Sequence, residues 1–267
     1  MSVLSAHDVQ VVFNQGEPEE VEAIRRISFE LNKGETLAIV GPSGCGKSTL
    51  FNAIAGLIEP SSGTVVVEGK HIERATGHVG YMLQKDLLLP WRSVFDNILL
   101  GLEVRGAVSA ADRARVLDMV RRYGLAGFES AKPAQLSGGM RQRVAFMRTL
   151  AIDPGVILLD EPFSALDFQT RLVLQAEVMS VIRERRKSVV LVTHDIGEAI
   201  TMADRILVLT NRPAEVKSVH RIELEAVERD PIKLRSSAKF NEYFQAIWAE
   251  LGIQIGPSQV ASAAPPL

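Results

Sequence analysis

The sequence predicts an α/β protein, and three observations carry that reading. Short apolar runs at 156–159 and 188–193 suit strands buried on both faces. Segments with three-to-four-residue apolar spacing, the period of a helix, alternate with them. A glycine-rich loop, 41–46, lies between an apolar strand and a helix. The chain has 267 residues, 46% hydrophobic and 23% charged, which is an ordinary make-up for a globular protein.

The elements follow in order. Leu4–Phe13, Ala23–Leu31 and Thr36–Val40 read as strands, with Gly34 turning between the last two. Lys47–Ile58 reads as a helix, and Gly63 and Gly69 bracket a strand at 64–68. The middle is helical, with Val94–Leu102, Ala110–Tyr123 (capped by Ser109) and Gly139–Ala151. Strand and helix then alternate: Val156–Leu159, helix 170–185, Ser188–Thr193, helix 195–203 and strand Arg205–Leu209. An amphipathic helix spans Leu234–Leu251, and the residues after it read as disordered.

Composition excludes several classes. A net charge of −2 leaves no basic excess for coating nucleic acid. One cysteine, Cys45, allows neither an internal disulfide nor a cysteine zinc site and fits a reducing compartment. The first residues lack a basic segment followed by a long apolar one, so no secretory signal is expected. No apolar run of about 18 residues occurs, so membrane association is expected to go through a partner.

Gly41, Pro42, Ser43, Gly44, Cys45, Gly46, Lys47 and Ser48 match G-x-x-x-x-G-K-[ST] in the strand-to-helix context that motif requires. Its glycines turn backbone N–H groups toward phosphates, and the helix start adds a favourable dipole; Thr49 continues the same turn. Lys47 is expected to reach the β- and γ-phosphates of ATP, and Ser48 to ligate Mg²⁺. Asp160, at the end of a buried strand, suits a Mg²⁺ contact, direct or through water. Glu161 comes next, where a carboxylate can polarise the water that attacks the γ-phosphate. Alkylation of Cys45 is expected to block ATP by bulk, with ATP protecting the thiol.

Leu136-Ser-Gly-Gly-Met140 opens another helix. Ser137 can cap it, and Gly138 and Gly139 expose N–H groups at its start, a second anion-binding surface for which one subunit has no obvious use. The reading is that it serves the nucleotide of a neighbouring chain. The polar run Arg141, Gln142, Arg143 reads as a solvated helix face.

Taken together these motifs resemble the ATP-binding subunits of ABC transporters over nearly the whole chain. They occur in the family's order: 41–48, Gln84 in YMLQKD, LSGGM at 136–140, ILLDE at 157–161, SALD at 164–167 and His194 in VTHD. The resemblance implies an ABC-type P-loop fold with a mixed-sheet core, an N-terminal antiparallel β-subdomain and a helical subdomain. It divides the chain into 1–83 and 151–233 for the core, 84–150 for the helical subdomain, 234–252 for the last helix and 253–267 for a tail. It also implies that Gln84 touches the Mg²⁺ site and senses the membrane partner. Asp167 becomes the cross-subunit aspartate, and His194 the histidine contacting the γ-phosphate; without the family, His194 would read as a structural histidine. Phe13 fits an aromatic that stacks on adenine, although the end of an alternating strand is also a core position. Met140 stands where glutamine is commoner, with little expected loss because the phosphate-facing groups are Ser137 and the glycines.

The implied partners are a second ATP-binding subunit, transmembrane permease subunits docking near Gln84–Trp91, and indirectly a solute-binding protein, with the chain peripheral on the cytoplasmic face of the inner membrane. Leu87-Leu-Leu-Pro90-Trp91 is expected to divide between core and an exposed apolar patch, with Trp91 near the permease. This stretch, LSGGM and the closing aromatic helix resemble the branch that imports nitrate, sulfonates, taurine and some vitamin precursors. The alternative is a non-transport ABC ATPase of translation or DNA maintenance. Against it stand a single cassette and the lack of a long coiled coil between 48 and 136.

Overall fold

The computed structural model describes residues 1–75, 77–224 and 231–252. The expected tail therefore lies outside the described residues. β1 (Ser2–Phe13) and β2 (Val21–Asn32) pair antiparallel and join β4 (Ser62–Val67) and β5 (Lys70–His71) in a four-stranded sheet of order β2-β1-β4-β5. The second sheet has six strands. β3 (Thr36–Val40), β6 (Val79–Met82), β7 (Val156–Asp160), β8 (Ser188–Val192) and β9 (Arg205–Leu209) run parallel, and β10 (Val216–Arg221) closes one edge antiparallel, in the order β10-β9-β3-β8-β7-β6.

The central strands are buried on both faces, and their side chains alternate between two cores. Leu37, Ile39, Val156, Leu158, Val190 and Val192 face the antiparallel sheet and α1 (Lys47–Ile54). Ala38, Val40, Ile157, Leu159, Val189 and Leu191 face the helices. Each fully buried aliphatic side chain contributes about 1.5–3 kcal/mol, so slipping a central strand by one residue would exchange two packed faces at once.

The helical layer holds α5 (Phe168–Glu184), α6 (Ile196–Met202), α7 (Pro231–Arg235) and α8 (Ala238–Leu251). Between β6 and β7 the chain runs out into an arm of α2 (Val94–Arg105), α3 (Ala110–Arg122) and α4 (Gly138–Ala151). Ser93 caps α2, and Ser109 with Asp112 forms a reciprocal capping box on α3.

Several local readings change. α1 stops at Ile54, because Gly56 turns to φ 71° and the N–H groups of Leu57 and Ile58 fold back onto Asn52 O. The closing helix is two helices: Ser237 breaks the run by capping α8, its hydroxyl accepting from Phe240 N at 3.2 Å. Strand β6 is unexpected; the backbone there approaches Pro154 so closely that a Cβ on Gly80 would lie 2.6 Å from its ring. The run 141–143 is no solvated face: Gln142 is buried, Arg143 forks onto both Glu177 oxygens at 2.8 Å, and Arg141 binds Asp86.

Candidate functional site

Four parallel strands end side by side. β3 runs into the loop 41–46, β6 ends two residues before Gln84, β7 ends on Asp160, and β8 ends two residues before His194. Carboxyl ends of parallel strands are where open α/β sheets bind ligands. Ser43, Gly44, Gly46, Lys47, Ser48, Thr49, Gln84, Glu161 and His194 line one cleft there of about 480 Å³. A larger cleft, about 780 Å³, opens at the other end of the strands among Lys33, Thr36, Met179 and Arg186 and holds none of these residues.

The loop wraps closely. Gly46 adopts φ 124°, and a Cβ there would meet Ala23 O at 2.9 Å, so glycine is required on both counts. Lys47 is buried, its Nζ donating to Gly41 O at 2.8 Å and Pro42 O at 2.9 Å, which arches the side chain over the loop. Cys45 is buried beneath it, so the thiol belongs to the floor of the loop.

Asp160 is only 5% exposed. Burial raises its carboxyl above the usual carboxylate range, while hydrogen bonds from Ser48 and Tyr81 pull the other way. Tyr81 Oη lies 3.3 Å from Asp160 Oδ2 and 3.2 Å from Asn52 Oδ1, and burial beside that carboxylate pushes the phenol up. Sequence reasoning missed Tyr81, because the strand that carries it was not read from the sequence; only its place three residues before Gln84 pointed to it. The donor set of a serine hydroxyl, a carboxylate and a nearby amide is all oxygen, as a hard cation that keeps some of its waters prefers.

Glu161 follows at φ 45°, a left-handed conformation that non-glycine residues hold at a cost of about 1–3 kcal/mol and that clusters at functional sites. Its N–H donates to Val192 O and its own carbonyl accepts from Ser164, which fixes the strained turn. The side chain reaches a junction: Gln84 Nε2 donates to Glu161 Oε2 at 3.0 Å, and His194 Nδ1 lies 3.1 Å from the same oxygen. Three residues from three strand ends thus meet on one carboxylate oxygen.

The other expected residues lie elsewhere. Ser137 is exposed and caps α4, its hydroxyl accepting from Met140 N at 3.3 Å. Gly139 packs against α5, where a Cβ would lie 2.8 Å from Thr170 Cγ2. Asp167 caps α5, accepting from Thr170 N at 3.0 Å, and backbone donors hold its carboxyl below the usual range. Gly138 adjoins Leu166, so Ser137–Gly139 and Asp167 form one edge outside the cleft. Phe13 ends β1 paired with Val21, is 39% exposed, and does not line the cleft. In the stretch after Gln84, Leu88 is buried in the arm's core whereas Trp91 is 71% exposed. Asn97 holds Leu89 through both backbone groups, and Lys132 Nζ donates to Trp91 O at 2.8 Å, which fixes the backbone and leaves the indole outside.

A family model described as ABC transporter matches residues 24–164. The ABC transporter ATP-binding protein YtlC of Bacillus subtilis is 46% identical over 233 residues, covering 87% of this chain and 90% of its own. A taurine import ATP-binding protein, TauB, of Burkholderia thailandensis is 37% identical over 254 residues, 94% of this chain and 97% of its own. Among solved structures, a dimeric ATP-binding cassette in a post-hydrolysis state with ADP and Pi superposes with a TM-score of 0.72 at 32% identity, covering 83% of this chain and 99% of that one.

Proposed function

The chain belongs to the ABC transporter family as an ATP-hydrolysing, ATP-binding subunit, and from that premise we propose how its residues divide the work. The observation that carries the proposal is the separation of two phosphate-ready surfaces: the cleft lined by the loop, Gln84, Glu161 and His194, and the outlying edge of Ser137, Gly138, Gly139 and Asp167. A second subunit, turned to face the first, would lay its edge over the first subunit's cleft. The dimeric cassettes among the structural relatives support that arrangement.

In the cleft, loop N–H groups and Lys47 bind the phosphates of ATP, with Ser48 and Asp160 holding Mg²⁺ and Gln84 beside it. Bound there, the ion would supply charge neutralisation, with Ser48, Asp160 and Gln84 the residues that would hold it. Glu161 accepts a proton from the attacking water, and His194, 3.1 Å from that carboxylate, orients it and reaches the γ-phosphate. Phe13 stacks on the base from outside the cleft. Across the dimer, Ser137, Gly138 and Gly139 contact the γ-phosphate and Asp167 contacts the opposite cleft. Hydrolysis removes part of what holds the faces together, and the dimer opens.

No helix among the described residues is long and apolar enough to cross a membrane. The membrane work therefore falls to permease subunits, docked at exposed Trp91 and the 84–91 loop on the cytoplasmic side. The solute is a small one of the sulfonate class, with taurine the first to try, since several relatives carry that name. The test is Glu161→Gln with ATP. An ATP-dependent dimer on size-exclusion chromatography and turnover reduced about 100-fold or more are expected. Near-normal turnover would remove Glu161 from the role of base.

A further inference from the structure

The polar straps that fasten α4 to the 84–91 loop are used neither by the cleft nor by the edge. Arg141, one turn into α4, donates through Nη1 to Leu136 O at 2.8 Å and through Nε to Asp86 Oδ2 at 3.1 Å. Leu136 is the residue before Ser137, and Asp86 is two residues after Gln84. Asp86 Oδ1 in turn accepts from Leu88 N at 3.2 Å, at the turn that buries Leu88 and exposes Leu87. Seven residues along the same helix, Arg148 donates to Asp86 O at 2.6 Å and Leu87 O at 2.8 Å. One helix thus carries the outlying phosphate-facing turn at its start and holds the loop to its flank with two arginines.

We propose that Arg141 is a positioning residue that joins the turn at Ser137 to the loop between Gln84 and Trp91, so that closure of this edge on the opposite subunit's ATP displaces the permease-facing loop. The inference rests on the reading of 84–91 as permease-facing and adds a route to it that bypasses this chain's own cleft. The planar guanidinium suits such a joint, because it binds a carbonyl and a carboxylate at once with fixed geometry, which a lysine ammonium cannot reproduce. Arg148 hydrogen-bonds the same loop through backbone carbonyls, so those bonds have no need of the Asp86 side chain that Asp86→Ala removes.

That difference defines the experiment. Asp86→Ala removes the Arg141 link together with the acceptor for Leu88 N and leaves Arg148 in place; Arg141→Ala removes the link from the other side together with the donor to Leu136 O. ATPase is measured for the isolated subunit and for its reconstituted complex with the permease. Each single variant is expected to keep basal turnover and ATP-trapped dimerisation but to lower permease stimulation about five-fold or more. The double variant is expected to lose clearly less than the sum of the two single losses, and the charge-swapped pair Asp86→Arg with Arg141→Asp to recover part of the stimulation. Additive losses, a parallel fall in basal turnover, or intact stimulation in both single variants would overturn the joint. Trp91→Ala separates the two ideas. If it abolishes stimulation while Arg141→Ala and Asp86→Ala do not, the docking surface stands and the joint falls; if it leaves stimulation intact, both fall.

Discussion

The cleft at the strand ends and the edge of the helical arm each offer backbone N–H groups at a helix start, yet they are held in place by different means. The cleft hangs on strands whose residues are buried on both faces, and its key groups, Lys47 and Asp160, are themselves buried. The arm's edge is exposed at Ser137, and ion pairs with partly exposed partners fasten its helix: Arg141 to Asp86 and Arg143 to Glu177. Such pairs contribute about 0–1 kcal/mol each. The cleft is therefore set on buried strand ends, whereas the proposed edge sits at the exposed start of α4, whose body packs into the core through Val144, Met147 and Leu150 but whose first turn is held by the polar contacts of Arg141. The loop at 84–91 belongs to both regions, leaving β6 at one end and strapped to α4 along its length.

The sharpest test sets one variant in each region against the other. Lys47→Ala removes a buried cation from the phosphate loop and is expected to weaken ATP binding about 100-fold, read by nucleotide titration. Gly138→Asp is expected to leave ATP affinity within about two-fold, because it lies outside the cleft and an acid in a first helical turn favours the helix. There is room for it, the nearest atoms to an added Cβ being Leu166 Cδ2 at 3.6 Å and Arg141 Nη2 at 3.9 Å. Its negative charge would, however, face phosphates across the dimer, so ATP-driven dimerisation in a Glu161→Gln background should disappear. A Gly138→Asp protein that still dimerises would show that the edge does not meet the opposite nucleotide.

Trp91→Ala asks whether the exposed indole belongs to the moving region. Buried tryptophans at interface centres are commonly worth about 2 kcal/mol or more to an interface. Permease-stimulated turnover should collapse while basal turnover stays within about two-fold, since Trp91 touches no group of the cleft. Unchanged stimulation in the reconstituted complex would place the permease elsewhere.

The two regions also differed in how far the sequence disclosed them. The cleft was legible because phosphate chemistry demands particular residue types at fixed spacing after apolar strands, which marks the loop, Asp160 and Glu161 without any tertiary knowledge, whereas Gln84 and His194 were reached only through the family resemblance. What supports them was hidden. The Tyr81 hydroxyl bridges Asn52, 29 residues before it, and Asp160, 79 residues after it, a pairing no local pattern encodes. Arg141 to Arg143 carry charges on a helix, and charge alone reads as solvated; only the packing of α4 buries Gln142 and turns Arg141 onto a loop 55 residues earlier. β6 was missed because Gly80 lowers strand propensity, although tight packing against Pro154 requires it. β10 alternates half-buried and exposed residues, the mark of an edge strand, but carries lysine, histidine and arginine that mask it.

The smallest expected effect probes how far the cleft's rigid base extends beneath His194. Glu198 is buried in α6 four residues on; Oε2 accepts from Thr193 Oγ1 at 3.1 Å, and Oε1 has no partner among the described residues. Asp195, between them in sequence, caps the helix and is held by Arg171, whose Nη2 also reaches Leu166 O next to Asp167. Burial, reinforced by the Asp195 charge, pushes the Glu198 carboxyl up to about 8 from its ordinary 4.5. A carboxyl raised on folding binds its proton more tightly in the folded state. Its contribution to stability is thus fully present below pH 4.5 and is lost as pH rises through about 8. Glu198→Gln keeps an acceptor for Thr193 but cannot ionise, so its thermal midpoint relative to the parent should climb steadily across that interval. Parallel midpoint curves for the two proteins would mean that Glu198 is ionised at neutral pH, and that the floor under His194 is wetter than its packing indicates.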